Sequence, residues 1–331
     1  MLSEHNGTLT ALAGSAVAKA LAQEPEGFTE RLSAARLWLR GGSNRHVLTL
    51  DHAAWPAALL QTADPPLLLY AEGDLERLAL PSLAIVGSRH ATTQGLDNAR
   101  AFGRALGEAG YAVVSGLARG IDGAAHEGAL EAPAGTVAVV GTGLDQVYPP
   151  GHRKLAQRIA AHGVLLSEFA PGTPALPEHF PLRNRIIAGL TQGTLVVEAA
   201  LQSGSLITAR LAVEAGREVF AIPGSIHAPH SRGCHALIKQ GAKLVESAQD
   251  ILEELRGEAH RQAELPLDAV SDDAPEDPLL DALGHDPVTL DALMARTGWP
   301  AHELSTRLLD LELDGHVARL PGGLYQRRFA S

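Results

Sequence analysis

The sequence is poor in cysteine and in aromatic residues. Cys234 is the single cysteine among 331 residues, which excludes a disulfide framework and a cysteine-ligated zinc site. Phe, Trp and Tyr make up 4% of the chain, whereas hydrophobic residues as a whole make up 45%. A large core is therefore available, and because Ala, Leu, Val and Gly have to fill it, we expect helices packed closely on a flat sheet.

Long hydrophobic runs and common catalytic motifs are also missing. No apolar run approaches the ~18 residues of a membrane helix, and residues 1–22 lack the basic start and apolar centre of a signal peptide. There is no GxxxxGK[ST] loop, no HExxH motif and no carboxylate cluster of the two-metal nuclease type. We therefore expect a cytoplasmic protein that does not contact membranes and has no cofactor, no metal ion and no catalytic residue.

Negative charge is unevenly distributed along the chain. Residues 1–80 carry 6 basic and 9 acidic side chains, residues 81–256 carry 15 of each, and residues 257–331 carry 6 basic and 14 acidic ones. The total of −11 argues against a nucleic-acid partner, but the neutral middle region leaves room for a local basic groove.

Short apolar runs alternate with helix-length amphipathic segments in the middle region. The runs lie at 83–86, 111–114, 136–140, 164–166, 195–197 and 219–222, with a short seventh at 243–245. Helical patterns lie at about 95–109, 121–131, 151–162, 183–192, 205–215, 232–240 and 247–255. Buried strands that alternate with helices are typical of parallel β-α-β units. We therefore predict an α/β domain over residues 81–256, with a Rossmann-like, doubly wound and mostly parallel sheet.

The flanking regions have different patterns. Residues 1–80 show weak helical patterns at about 8–22 and 28–40 and a proline-rich extended stretch at 64–70, which predict a small helical domain with a tether. Residues 257–275 are acidic and interrupted by proline, as linkers are. Residues 276–331 contain three helical patterns, at about 277–283, 289–296 and 301–313, and two short strands around a Pro-Gly-Gly turn. Three helices and a hairpin predict a winged-helix domain.

Small polar residues follow several predicted strands, at the sheet edge where open α/β folds bind ligands. They are Gly87, Ser88 and Arg89 after the first strand, Ser115, Gly116, Arg119 and Gly120 after the second, and Ser203, Gly204 and Ser205 after the fifth. Glycine lets backbone N–H groups approach an anion, a helix N-terminus attracts it, and arginine offers forked donors to a phosphate. One such loop is common in α/β proteins, whereas a row of them favours a nucleic-acid backbone over a dinucleotide.

The segment from Phe180 to Leu190 is the sharpest local feature. Pro181 is a suitable start for a helix whose first turn carries Arg183, Asn184 and Arg185. Two guanidinium groups and an amide would then surround a helix N-terminus, with Phe180 placed to stack on an unpaired base. The alternatives are that Phe180 fills the core and that one of the two arginines pairs with an internal carboxylate.

Asp122 and His126 lie one helical turn apart, which would suit a base and the group that orients it. We prefer a structural interpretation, in which the pair holds the 115–120 loop against the following helix. Glu198, at a strand end, is also interpreted as structural.

Several strings of the middle region together resemble the DNA-processing protein DprA/Smf family. They are IVGSR at 85–89, SGLARGIDGAAHEGAL at 115–130, TVAVVGTGLDQVYPPGH at 136–152, LLSEFAPG at 165–172, FPLRNRIIAGL at 180–190 and LVVEAALQSGSLITARLAVEAGREVFAIPGS at 195–225. The strings cover the middle region in order, and a winged-helix pattern at the C-terminus is also found in many members of the family.

The resemblance implies a protein that binds single-stranded DNA during natural transformation, protects that strand and helps to load the recombinase RecA onto it. It implies no catalysis, and a homodimer formed through the Rossmann domain. The family's Gly-Ser-Arg loop corresponds to Gly87, Ser88 and Arg89 as DNA contacts, and Phe180 with Arg183 and Asn184 would line the same pocket.

Two positions depart from the family's pattern. Some relatives have a lysine about three residues before the phenylalanine, where this chain has Pro177 followed by Glu178. The usual Gly-x-Asn is replaced by Gly233-Cys234-His235. We expect His235 to donate a hydrogen bond in place of the asparagine, and Lys239, one helical turn later, to contact a phosphate.

Two other functions stay open at this point. The same sheet edge would suit a nucleotide hydrolase or N-glycosidase with Glu198 or Asp122 as the acid, although Rossmann enzymes of that kind resemble one another in a PGGxGTxxE loop that is missing here. The third interpretation is a sensor of a free dinucleotide.

Overall fold

The computed structural model describes residues 14–21, 23–256, 277–284 and 286–328. The strands of its main sheet are β1 (Arg45–Thr49), β2 (Leu68–Gly73), β3 (Ser82–Val86), β4 (Ala112–Ser115), β5 (Thr136–Val139), β6 (Val164–Ser167), β7 (Gly193–Val196), β8 (Glu218–Ala221) and β9 (Lys243–Leu244). They form one nine-stranded sheet in the order β1-β2-β6-β5-β4-β3-β7-β8-β9. Strands β3 to β9 are parallel to one another, whereas β1 pairs antiparallel with β2, and β2 pairs antiparallel with β6. The predicted α/β fold is confirmed, with all seven predicted strands within two residues of their positions.

Helices cover both faces of this sheet. They are α1 (Ser15–Leu21), α2 (Phe28–Arg40), α3 (Thr93–Glu108), α4 (Ile121–Ala129), α5 (Arg153–His162), α6 (His179–Leu190), α7 (Ser205–Glu214), α8 (Arg232–Lys239) and α9 (Ala248–Arg256). Side chains of a strand alternate between the two faces. Leu83 and Ile85 of β3 therefore pack on the layer of α3, α4 and α9, whereas Ala84 and Val86 pack on the layer of α6, α7 and α8. Each fully buried Leu or Ile stabilises the fold by roughly 1.5–3 kcal/mol.

The N-terminal region differs from the prediction of a helical domain with a tether. Both helices are present, although residues 8–13 and 22 of the first predicted pattern lie outside the described part of the chain. The supposed tether, however, carries β1 and β2, and β2 extends the sheet by pairing with β6. Strand β1 has polar residues at three of its five positions, and β2 follows two prolines, so neither shows the pattern of a buried strand by itself. Their pairing is decided by the free edge of β6, which lies far along the chain.

The C-terminal region forms a separate small domain. Its elements are α10 (Pro278–Leu283), β10 (Val288–Thr289), α11 (Leu290–Thr297), α12 (Ala301–Leu313), β11 (Val317–Leu320) and β12 (Leu324–Arg327), with a sheet in the order β10-β12-β11. Leu283, Leu304 and Leu308 belong to its own core. The predicted winged helix is thus confirmed, while the predicted linker at 257–275 lies outside the described residues.

Polar side-chain contacts join the two domains. The Gln326 side chain donates to the Gln94 side chain at 2.8 Å, and Arg328 lies 3.3 Å from the carboxylate of Asp97. Both partners belong to the first turns of α3. The winged helix therefore lies beside the loop that follows β3.

Candidate nucleic-acid interface

The candidate site lies where the sheet changes direction. From β3 the chain continues to β4, β5 and β6 on one side, and then to β7, β8 and β9 on the other. The carboxyl ends of β3 and β7 border a crevice at such a switch point, which is where open α/β sheets bind ligands. The Ser88 backbone N–H donates to the Glu198 carbonyl at 2.8 Å and joins the two strand ends. A groove of about 660 Å³ opens above this junction.

The groove is lined by three of the predicted segments. Of the predicted residues it contains Gly87, Ser88, Arg89, Phe180, Arg183, Asn184, Ser203, Gly204 and Ser205. It also contains residues that the sequence reasoning missed, among them His90, Tyr148, Gln202 and His230. Tyr148 had a signal, because it precedes two prolines in the loop that follows β5, at the same sheet edge as the other predicted loops. The remaining predicted residues do not line the groove.

Phe180 lies between a cation and a second aromatic ring. The Arg89 guanidinium carbon is 5.6 Å from the centroid of the Phe180 ring, and the Tyr148 ring centroid is 5.5 Å from it on a tilted plane. Phe180 is half-buried, whereas Arg89 is exposed and Tyr148 is 48% exposed. A cation over an aromatic face is attracted to it, and the same groups suit a base and the phosphate next to it.

The opposite wall of the groove is the start of α7. Ser203 and Ser205 have their hydroxyl oxygens 2.7 Å apart, and Gly204 stands at the N-cap between them. The positive end of the helix dipole and two hydroxyl groups thus face the groove. This arrangement favours an anion.

Arg183 lies beneath the groove rather than at its mouth. Its Nη1 donates to the carbonyls of Gly116 and Val139, each at 2.5 Å, and its Nε donates to Asn184 Oδ1 at 3.0 Å. Burial lowers the pKa of Arg183 to about 10, so the group stays protonated at neutral pH. The predicted helix start at Pro181 is wrong, because α6 begins at His179 and Arg183 is therefore in its second turn.

Arg185 points away from the groove. It forms an ion pair with Glu168 at 2.5 Å and another with Asp64 at 3.3 Å. Successive helical residues are about 100° apart, so residues 183 and 185 are about 200° apart and cannot face the same side. The alternative of an internal carboxylate partner is confirmed for Arg185.

The loop from Ser115 to Gly120 is held from below. The Ser115 hydroxyl donates to the Ile85 carbonyl at 2.6 Å, and the Asp122 carboxylate accepts from the backbone N–H groups of Gly116 and Ala118 at 3.1 and 3.3 Å. Burial raises the pKa of Asp122, against the lowering effect of the Arg183 charge. This carboxylate therefore positions the loop, as predicted.

His126 completes the support of that loop. Its Nε2 accepts from the Leu117 N–H at 3.3 Å, and its Nδ1 lies 2.7 Å from the hydroxyl of Thr136. That hydroxyl donates to the Val113 carbonyl, so Nδ1 carries the proton and donates to it. Burial lowers the pKa of His126 to about 3. The structural interpretation of this histidine is confirmed.

Four further predicted residues lie outside the groove. Arg119 and Lys239 are exposed. Gly120 has φ of 75°, and a Cβ atom there would lie 2.2 Å from the Ser88 carbonyl oxygen, so its backbone packs directly on the loop after β3. The His235 ring donates to the Gly224 carbonyl at 2.9 Å.

Glu198 caps a helix. Its carboxylate accepts from the backbone N–H and the hydroxyl of Thr92 at 3.0 and 2.5 Å, at the N-terminus of α3. In the described part of the chain, no group of three His, Cys, Asp or Glu side chains could hold a metal ion. None of the helices described is long and apolar enough to span a bilayer.

Comparison with known proteins gives a consistent set of relatives. The family model of DNA recombination-mediator protein A matches residues 46–256, and that of the DprA winged helix domain matches residues 262–323. Protein Smf of Escherichia coli (strain K12) is 44% identical over 294 residues, which are 87% of this chain and 79% of that protein.

Two solved structures share the fold at substantial identity. The X-ray structure of DNA processing protein A from Streptococcus pneumoniae is 40% identical with a TM-score of 0.64, over 76% of this chain and 91% of that one. A structure of DNA processing protein A from Helicobacter pylori, described as revealing its single-stranded DNA binding mode, is 31% identical with a TM-score of 0.58, over 64% of this chain and 96% of that one. The first family model spans the groove and nearly all of the sheet. The chain therefore belongs to the DNA recombination-mediator protein A family, whose curated relatives are named DprA or Smf.

Proposed function

We propose that this protein binds single-stranded DNA in the groove and helps to load the recombinase RecA onto the bound strand during natural transformation. The observation that carries the binding step is the position of Phe180 between Arg89 and Tyr148, opposite the start of α7. Aromatic faces accept any unpaired base, and a guanidinium and a helix N-terminus suit its phosphates. A duplex keeps its bases stacked on one another and would leave these rings unused.

The relatives support the same proposal. The H. pylori protein is described by its single-stranded DNA binding mode, and its structure covers 64% of this chain. We also propose, as the resemblance to the family implies, that two copies of the chain pair through the Rossmann domain and that the bound strand passes from the dimer to RecA. Light scattering of the pure protein, and RecA filament formation on covered DNA with and without the protein, test these two steps.

A nucleotide hydrolase or N-glycosidase is the competing function. Asp122 borders the groove and its pKa is raised by burial, which a general acid would need. Its carboxylate, however, already accepts two backbone N–H groups, and that of Glu198 already caps α3. We propose that both carboxyl groups have structural roles and that the site performs no reaction.

The deciding experiment is a fluorescence anisotropy titration with oligo-dT and with a duplex of the same length, at several salt concentrations. We expect the protein to prefer the single strand. Arg89→Ala should weaken this binding and reduce the slope of log K against log[salt] by about 0.7, the value for one phosphate on a single strand. Arg104→Ala is the matched control, because Arg104 is a half-exposed arginine of α3 that pairs with Glu131 outside the groove.

Two outcomes would contradict the proposal. The first is unchanged affinity for oligo-dT in a folded Arg89→Ala protein. The second is release of free base or phosphate when nucleotides are incubated with the wild-type protein and separated by chromatography, because that would favour the enzyme.

A further inference from the structure

Helix α5 carries an unpaired basic surface. Arg153, Lys154 and Arg158 are exposed on one side of it, while its other side packs into the core, and the helix contains no acidic residue. Within the residues that the structure describes, none of the three has an ion-pair or hydrogen-bond partner for its side chain. We call these three residues the α5 surface.

Three other cations of the same domain, by contrast, are paired. Arg104 contacts Glu131, Arg210 contacts Glu214 and Lys243 contacts Glu254. The neutral total of the region therefore hides a local excess of positive charge on α5, because several carboxylates of the domain pair with cations outside this helix. The α5 surface keeps its full charge for a ligand.

The placement of this charge on the helix is unfavourable without a ligand. Arg153 and Lys154 lie in the first turn of α5, where the positive end of the helix dipole repels cations. His152, at the N-cap, gives no side-chain cap to the helix and instead donates from Nδ1 to the Leu117 carbonyl at 3.0 Å. An anion bound at this end would relieve the repulsion.

The α5 surface is continuous with the groove. The backbone of Gly120 packs on Ser88 and Arg89 at the groove wall, and the neighbouring Arg119 is exposed. The same loop contacts His152 through Leu117, and the next residue is Arg153. Arg89, Arg119 and Arg153 thus belong to three segments that contact one another in turn, from the groove, through the loop after β4, to the start of α5.

We propose that the α5 surface, with Arg119, is a second phosphate-binding segment, along which a single strand continues after it leaves the groove. This inference rests on the proposed function. Lys154 and Arg158 are one helical turn apart, so their side chains point the same way at about 5–6 Å spacing and contact the strand's phosphates. The occupant is a single strand because only a flexible backbone can bend from the groove, over the loop and onto the side of α5.

The test compares strands of two lengths on one triple variant, Arg153→Gln with Lys154→Gln and Arg158→Gln. One oligo-dT of about 6 nucleotides fills a single groove, and one of about 25 nucleotides extends beyond it. We expect the triple variant to bind the short strand like the wild type. It should bind the long strand about tenfold more weakly at low salt, with a salt slope smaller by about 2, the sum for three phosphates.

The control has the same change of charge elsewhere, in Arg104→Gln with Arg210→Gln and Lys243→Gln. We expect this control to bind both strands nearly like the wild type. If the α5 variant and the control bind the long strand with equal affinity and equal salt slopes, the inference is overturned, while binding of the short strand still supports the groove. If the wild type binds neither strand, the proposed function itself fails. Circular dichroism of each variant confirms that it is folded.

Discussion

The guanidinium group of Arg183 occupies the space that a side chain at position 116 would need. A Cβ atom on Gly116 would lie 2.2 Å from Nη1 of Arg183, and the same nitrogen donates to the Gly116 carbonyl and to that of Val139. The glycine is therefore required by an internal arginine, and the arginine joins the ends of β4 and β5 to helix α6. Arg183, which the sequence suggests as a phosphate ligand, therefore stabilises the floor of the groove.

We predict that Arg183→Met lowers the free energy of unfolding by about 2–4 kcal/mol, because two buried carbonyls lose their charged donor. Urea denaturation followed by circular dichroism measures this. Arg119→Met, at an exposed position, should change the same quantity by no more than about 0.5 kcal/mol. If Arg183→Met has the stability of the wild type but no longer binds DNA, Arg183 is a phosphate contact instead.

Phe180 should contribute to binding more than to folding, because it is half-buried and faces Arg89 and Tyr148. We predict that Phe180→Ala weakens binding of oligo-dT by about 1–3 kcal/mol, as expected for one stacked base. Phe180→Tyr keeps an aromatic face and should retain most of the affinity. A stability loss of several kcal/mol with normal affinity in the folded fraction would instead identify Phe180 as a core residue.

His126 should make the protein sensitive to acid. Its ordinary pKa is 6.5 and burial lowers it to about 3 in the folded protein, so below pH 6.5 the unfolded chain binds a proton that the folded chain does not. The stability that this residue contributes is complete above pH 6.5 and is lost as the pH falls toward 3, at about 1.4 kcal/mol per pH unit. We predict that the free energy of unfolding, measured with urea, falls between pH 6.5 and pH 5 by about 2 kcal/mol more in the wild type than in His126→Gln. Equal pH dependence in the two proteins would show that His126 is not responsible.

The winged helix should not bind duplex DNA by itself. Its third helix, which would enter the major groove, carries Glu303, Asp310 and Glu312, and its Arg307 is paired with Asp277. We predict no measurable duplex binding by a 276–331 fragment at ~150 mM salt, since no counterion release would drive it. A chain that ends at Arg256 should retain most single-strand binding. Tight duplex binding by the fragment would contradict this prediction. Single-strand binding retained by the shortened chain would favour a role of the winged helix in protein contacts.

Much of the fold follows from local pattern. Runs such as 83–86 and 136–140 are apolar on both faces, and only a sheet covered on both sides buries them. The same holds for the winged helix, whose caps, helix lengths and Pro-Gly-Gly turn lie close together in sequence. Strands β1 and β2 could not be predicted in this way, because β2 is stabilised by the edge of β6, which lies far along the chain, and β1 is stabilised by its pairing with β2.

The candidate site, like the fold, was predictable only in part. The sequence by itself determined that Gly87, Ser88, Arg89 and the start of α7 meet at one sheet edge, because the carboxyl ends of parallel strands share that edge. Only the tertiary structure decided which charges remain available there. Arg183 and Arg185 are used by buried carbonyls and carboxylates, whereas Arg89 keeps its charge for a ligand. Pairing and burial depend on neighbours from several elements, and no local pattern encodes them.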